Sequence, residues 1–275
     1  MEKVVIILPI HKLFQQLTQN ELHSLKQLNG VLSNFPLCLI AAENFSLEGY
    51  MYFFNRENVL IEQFKEEYFK NIRSYNKLCL SKEFYERFLS FECMLIYQSD
   101  AYVFRNDLEF WTRQGYDYIG APFHKDNNEP FNAELWTVGN GGFSLRSSYK
   151  CHKLLSTIEC YYSVVKLIEK LRCKRFITKA FIKLGLFNFI IVENIKLNKY
   201  NEDYVFGVLS KQINKNFSVA PLDVAWQFSF EAHPALLYKL NGNQLPFGCH
   251  GWEKYEPEFW RNFINASSTS EVLEK

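Results

Sequence analysis

The sequence holds no Gly-x-Gly-x-x-Gly after its first apolar run and no Gly-x-x-x-x-Gly-Lys-Ser/Thr anywhere. The glycine turns that seat a dinucleotide pyrophosphate or wrap a nucleoside triphosphate are missing, so both functions lose support. The seven cysteines are odd in number and contain no Cys-x-x-Cys pair, which argues against a disulfide framework. Cys38, Cys79 and Cys93 lie in apolar contexts and read as core thiols, pointing to a reducing compartment. The net charge is only +1, so no overall field favours nucleic acid. No uncharged apolar run reaches the 18 or so residues of a membrane-spanning helix. "MEKVVIILPI" (1–10) meets a proline without a small-residue cleavage site, so it does not read as a signal peptide; the expected location is cytoplasmic. No internal repeat or low-complexity tract is evident.

What is present is a core. Of 275 residues, 48% are hydrophobic and 17% aromatic, enough for one large α/β domain over residues 1–260 with a frayed polar tail at 261–275. "KVVIILPI" (3–10), "PLCLIAAE" (36–43) and "CMLIYQ" (93–98) read as buried strands. Residues 18–28, 57–72 and 81–90 read as helices, and 221–231 as partly strand-like. Strands alternating with helices indicate a mostly parallel sheet, whose ligands bind beyond the C-terminal strand ends.

"LIYQSDAYVF" (95–104) places one acid, Asp100, at such an end. A carboxylate there must be solvated, hydrogen-bonded or on a metal; a turn aspartate bonding its own backbone is the plain alternative. "GNGG" (139–142) implies left-handed backbone or a close approach, or else a hairpin. "NEDYVF" (201–206) puts Glu202 and Asp203 at a helix start, and "FGCHGW" (247–252) sets His250 between two glycines. Each group closes an apolar element. Together they suit sugar transfer from a nucleotide diphosphate: a cation for the leaving diphosphate, a carboxylate base, and backbone close to the sugar. Asp100 and His250, with phosphate oxygens and water, make a sensible shell for Mn²⁺ or Mg²⁺.

Seven stretches in order carry a resemblance: "SYNKLCLSKEFYERF" (74–88), "LIYQSDAYVF" (95–104), "GYDYIGAPF" (115–123), "VGNGGFSLRS" (138–147), "NEDYVF" (201–206), "AWQFSFE" (225–231) and "PFGCHGW" (246–252). Over roughly residues 1–255 the chain resembles a bacterial glycosyltransferase-like family long catalogued as a domain of unknown function. This implies the GT-A fold, a Rossmann-like α/β class with a mostly parallel sheet flanked by helices, and a nucleotide-sugar donor. The order also resembles the Fringe-like glycosyltransferases. By that resemblance Asp100 takes the last position of the DxD motif and binds metal with His250. Gly141 and Gly142 contact the donor sugar or acceptor, and Asp203, with Glu202 close by, is the base. One departure stands out: the first DxD position is Gln98. With one carboxylate left, the metal is held more weakly, or cationic side chains replace it.

Pro9, Ile10 and His11, Asn76 and Lys77, Gln98 and Ser99, and Asn140 complete the expected donor site. Arg146, after the glycine turn, is placed to reach phosphate. Glu231 is a second acceptor-side acid or a structural hydrogen-bond acceptor. His124 and His233 read as structural, and Trp136 and Trp226 as core by default, with sugar stacking as the alternative. The expected activity is a hexosyl or related transfer from a nucleotide-diphosphate sugar, UDP-sugar favoured, to a hydroxyl of a glycan or lipid-linked glycan. Metal assistance, inversion, and a place in bacterial surface polysaccharide, capsule or lipopolysaccharide synthesis complete the expectation. Residues 161–190 carry seven Lys/Arg against one acid, compatible with peripheral contact at the inner membrane face or with a solvated helix pair. A sugar nucleotidyltransferase is the first alternative, but "HKLFQQL" lacks the Gly-rich, Arg-containing loop it needs after strand one. The second is a non-catalytic sugar-binding or membrane-associated module.

Overall fold

The computed structural model describes residues 2–125, 134–170 and 188–264. Both faces of β1 (Glu2–Pro9) are apolar: Val4, Ile6 and Leu8 enter one core cluster, Val5 and Ile7 another. A strand buried on both faces needs partners on both edges and a layer over each face. β1 pairs in parallel with β2 (Leu37–Ala42) and β4 (Phe91–Tyr97), and β2 in parallel with β3 (Val59–Phe64). β9 (Phe143–Ser147) runs antiparallel to β4 and to β6 (Tyr118–Ile119), giving the order β3-β2-β1-β4-β9-β6. The helices Gln19–Val31 and Glu48–Phe54 cover one face through Leu25, Leu28, Tyr50 and Phe54. The helices Ile72–Cys79, Lys82–Glu86 and Ser148–Lys170 cover the other through Leu78, Phe84, Tyr85, Leu154 and Leu155.

Two small sheets stand beside the central one. β7 (Pro122–His124) and β8 (Leu135–Val138) form an antiparallel pair. β11 (Gly248–His250) lies between β10 (Ser229–Phe230), parallel, and β5 (Ala101–Val103), antiparallel. This second sheet grows directly from the end of β4.

One expectation is corrected. Residues 57–72 are not one helix: they form β3, a 3₁₀ turn Glu66–Phe69, and the start of the helix Ile72–Cys79. As an edge strand β3 leaves Leu60 and Ile61 exposed, which blurs the period-two pattern, and pairing with the free edge of β2 overrides local propensity. Of residues 221–231, expected to be partly strand-like, Ser229–Phe230 is a strand and Leu222–Phe228 is a helix, with Asp223 in the first turn favouring that start. The helix Pro257–Ile264 crosses the expected boundary at 260 and buries Trp260 and Ile264 fully against Tyr102, Phe230 and Trp252. Val164 and Leu167 lie on the exposed side of the helix Ser148–Lys170. Arg172, Arg175, Lys179 and Lys183 lie outside the described residues. Among the described residues no helix is long and apolar enough to cross a membrane. Cys38 and Cys79 are buried and Cys93 half-buried, as core thiols should be.

Candidate active site

The apolar run of β4 stops where its chain turns into the second sheet. The Ala101 amide donates to the Gln98 carbonyl at 2.9 Å, closing a tight turn, and the Gln98 amide donates to the Gly142 carbonyl at 2.9 Å. Asp100 therefore sits at a fixed strand end, half-exposed. Pairing of β11 with β5 sets His250 opposite Ala101, so the imidazole meets this turn. His250 Nε2 lies 3.1 Å from Asp100 Oδ1 and 3.1 Å from Gln98 Oε1, and Nδ1 lies 3.0 Å from Glu231 Oε1. Glu231 follows β10, the parallel neighbour of β11. Burial disfavours the imidazolium, but the two carboxylates outweigh it and push the His250 pKa up to about 10. Burial likewise works against the Asp100 charge, and His250 more than compensates, holding its pKa below the usual value. Asp100 thus pairs with His250 as well as bonding its own backbone, and Glu231 is a hydrogen-bond partner of His250.

This arrangement fits a divalent cation in part. Glu231 on Nδ1 orients the ring, the second-sphere pattern of metal-binding histidines, while Nε2 directs a proton at Asp100 and Gln98 that a divalent cation would have to displace to be held there. Oxygen and imidazole donors suit Mn²⁺. Among the described residues, however, no group of three His, Cys, Asp or Glu is gathered for a metal. The protein offers Asp100, His250 and the Gln98 amide; any remaining ligands must be phosphate oxygens or water.

The glycine turn is a close-approach element and not a hairpin, because β8 and β9 on either side of it belong to different sheets. Asn140 takes the left-handed conformation (φ 60°), and its Oδ1 accepts the Gly142 amide at 2.8 Å. A Cβ on Gly141 would lie 1.8 Å from Glu202 Oε1, and one on Gly142 2.1 Å from His250 Nε2. Two consecutive glycines thus hold the acidic helix start and the His250 cluster within one turn of backbone.

Glu202 and Asp203 open a short helix, Glu202–Tyr204, that runs on through a π-helical turn, Val205–Leu209, to Ser210–Ile213. The two acids have different surroundings. Glu202 is buried and paired with Arg146, whose Nη2 lies 2.9 Å from its Oε2. Arg146 also donates to Tyr85 Oη at 3.1 Å and lies over the rings of Tyr118 and Phe206. It is fully buried, so the expectation that it reaches phosphate is not met. Glu202, expected as part of the base, is occupied as Arg146's counter-ion. Among the described residues Asp203 has no such partner. Burial first, then the Glu202 charge, raise its pKa to about 7, opposed by a backbone bond from Tyr204.

Of the expected donor-site residues, Pro9, His11, Gln98, Ser99 and Asp100 line a cleft of about 500 Å³, joined by Glu21, Phe69, Lys70, Asn71, Ile72 and Tyr75. Burial and then Lys12 lower the His11 pKa, favouring the neutral ring. Ile10 is in the core. Asn76 is buried, accepting the Glu202 amide at 3.0 Å and donating to Asn201 at 3.2 Å; it caps the acidic helix from outside. Lys77 lines a different cleft, with Glu67, Glu159 and Lys196. Glu21 escaped the sequence reading. Its Oε2 accepts the Thr18 amide in a capping box, while its Oε1 holds Lys12 at 2.7 Å and Ser99 at 2.9 Å. Thr18-x-x-Glu21 advertises the cap, but nothing in it advertises Ser99.

The chain belongs to the family described as "Protein of unknown function (DUF5672)", whose profile matches residues 58–250. A search of curated proteins finds no match. Among solved structures the chain is similar to the galactosyltransferase LgtC in complex with donor and acceptor sugar analogues, at 12% identity, 95% coverage of each chain and TM-score 0.52. It also matches the glycosyltransferase GlyE of Streptococcus pneumoniae TIGR4 at 13% identity and TM-score 0.46, covering 99% of this chain and 64% of that one. The mannosyltransferase Ktr4p of S. cerevisiae matches at 14% identity and TM-score 0.41, covering 56% and 59%. The chain thus spans less than two thirds of Ktr4p and GlyE and nearly all of LgtC. The fold is that of LgtC, the GT-A class, with a mostly parallel central sheet flanked by helices.

Proposed function

We propose that this protein is a glycosyltransferase that moves a sugar from a nucleotide-diphosphate donor to a hydroxyl of a glycan acceptor. One observation carries the reading. The glycine turn brings the helix start that carries Glu202 and Asp203 and an oriented histidine–aspartate pair together at the end of the central parallel strands, where Asp100 borders a cleft. The donor nucleotide occupies that cleft, against Pro9, His11 and Ser99. Asp203, with a pKa near 7, takes the proton of the acceptor hydroxyl. The acceptor oxygen bonds to the anomeric carbon as the bond to the diphosphate breaks, and the centre inverts. Asp100 and His250, with the Gln98 amide, would hold Mn²⁺ or Mg²⁺, which supplies charge neutralisation for the diphosphate. Glu231 keeps His250 in register. Peripheral membrane contact through 161–190, and a role at the inner membrane face in surface polysaccharide, capsule or lipopolysaccharide synthesis, belong to the same reading.

The test is thermal stability with UDP, GDP and CMP, with and without Mn²⁺, in wild type and Asp100→Ala. A ligand at 100 times its dissociation constant adds about 2.7 kcal/mol, a shift of several degrees. One nucleotide raising Tm only with Mn²⁺, and not in Asp100→Ala, is the expected result. Gln98 in place of a carboxylate favours a second reading, metal-independent transfer, in which the nucleotide shift is the same with and without Mn²⁺. No shift at millimolar nucleotide overturns both.

A further inference from the structure

We propose that Trp136, backed by Tyr204, is the platform on which a pyranose ring of the acceptor stacks. This rests on the glycosyltransferase reading and assigns its acceptor side. Of the five tryptophans, Trp111, Trp252 and Trp260 are buried and Trp226 packs half-buried against the C-terminal cluster. Trp136 alone is open, 46% exposed. A single exposed aromatic residue is ordinary, but the position of this one is not. Side chains two apart in a strand share a face, so Trp136 of β8 points the same way as the buried Val138, whose carbonyl backs onto Gly207 in the π-helical turn. That face meets the acidic helix. The Trp136 ring lies 6.0 Å from Tyr204, tilted 40°, and Tyr204 stacks at 5.3 Å on Tyr200. The Tyr204 amide bonds Asp203 Oδ1 at 2.7 Å. The platform is therefore attached to the residue after the proposed base.

None of these three rings lines the cleft assigned to the donor. A base must touch the hydroxyl it deprotonates, so a ring surface contiguous with the base serves the acceptor. The chemistry suits a sugar. A pyranose presents an apolar C–H face that lies flat on an aromatic ring, while its hydroxyls stay solvated or find polar partners at the rim. An indole held by a second ring loses little freedom on binding.

Saturation-transfer NMR with methyl β-galactopyranoside, methyl β-glucopyranoside and lactose, in the presence of UDP and Mn²⁺, tests this in four forms: wild type, Trp136→Ala, Trp136→Leu and Trp136→Tyr. The expected result is saturation transfer to the ring protons of at least one sugar in wild type. Affinity falls about tenfold, roughly 1.4 kcal/mol, in Trp136→Ala and in Trp136→Leu, and Trp136→Tyr stays within about threefold. The Leu variant keeps apolar bulk against Tyr204 without a ring face, so a purely structural role would be rescued by Leu, and stacking is not. Tm and the UDP response should match wild type in all three variants. Absence of glycoside binding in wild type, or equal binding in Trp136→Leu, overturns the proposal. Failure of the glycosyltransferase reading appears separately, as no nucleotide response and no release of UDP from UDP-sugars, whatever the glycosides do.

Discussion

Glu202 and Asp203 are adjacent acids whose replacement should have opposite effects on stability. In Glu202→Gln the Arg146 guanidinium, with no exposed side-chain surface, loses its counter-charge. Breaking a buried ion pair from one side costs about 3–5 kcal/mol. At about 2–4 °C per kcal/mol for a large domain, Tm should fall by roughly 6–20 °C. The double variant Arg146→Met/Glu202→Leu removes both charges and should recover most of that loss, a coupling of at least about 2 kcal/mol. Asp203→Asn should instead stabilise. Its folded pKa of about 7 exceeds the ordinary 3.8, so the native state binds the proton more tightly and stability falls as pH rises from about 4 to 7. Above pH 7 the full penalty is present, and Asn removes it. Calorimetry at pH 8, with UDP release from a nucleotide sugar as the rate assay, separates the two. Asp203→Asn should gain Tm and lose two orders of magnitude or more in turnover. Glu202→Gln, assayed well below its own Tm, should lose less than about tenfold. A Glu202→Gln protein with wild-type Tm and no turnover would refute this division of roles and make Glu202 the base.

Three further outcomes follow from the geometry. Gly142→Ala puts a methyl group 2.1 Å from His250 Nε2, so it should abolish any Mn²⁺-dependent UDP shift; an unchanged shift in calorimetry would show that His250 is not involved. The acid limb of the kcat/KM profile should titrate near pH 7, because Asp203 must be ionised to accept a proton, and a limb near pH 4 would exclude it. His250 has a folded pKa raised to about 10 from 6.5, so its ion pairs stabilise fully below pH 6.5 and are lost as pH climbs through 10. The Tm gap between wild type and His250→Gln, followed from pH 5.5 to 10, should therefore close, and a constant gap would contradict the pairing with Asp100 and Glu231.

The parts of the site that stood in the sequence are the ones written as turns: an acid ending a strand, clustered glycines, a histidine between glycines. Their types and their places at element ends follow from local chemistry. Pairings between distant residues do not. Asn76 looks like a surface polar residue on its own helix, and only the fold shows it capping a helix start 126 residues later. Glu231 reads as the end of an apolar run until β10 and β11 align and set it on His250. β3 is not legible in the sequence because an edge strand need not alternate. Arg146 shows why a cation beside a glycine turn cannot be assigned to phosphate from sequence. β9 lies between β4 and β6 with helices over its face, so every inward position is buried whatever its charge, and a guanidinium there requires an acid from elsewhere in the chain. Glu202 is that acid. Once it is committed to Arg146, its remaining field falls on the neighbouring carboxylate, and that field, added to burial, holds Asp203 near pH 7. Two adjacent acids that are equivalent in sequence are thus separated by their surroundings into a structural counter-ion and a group with the proton affinity of a base.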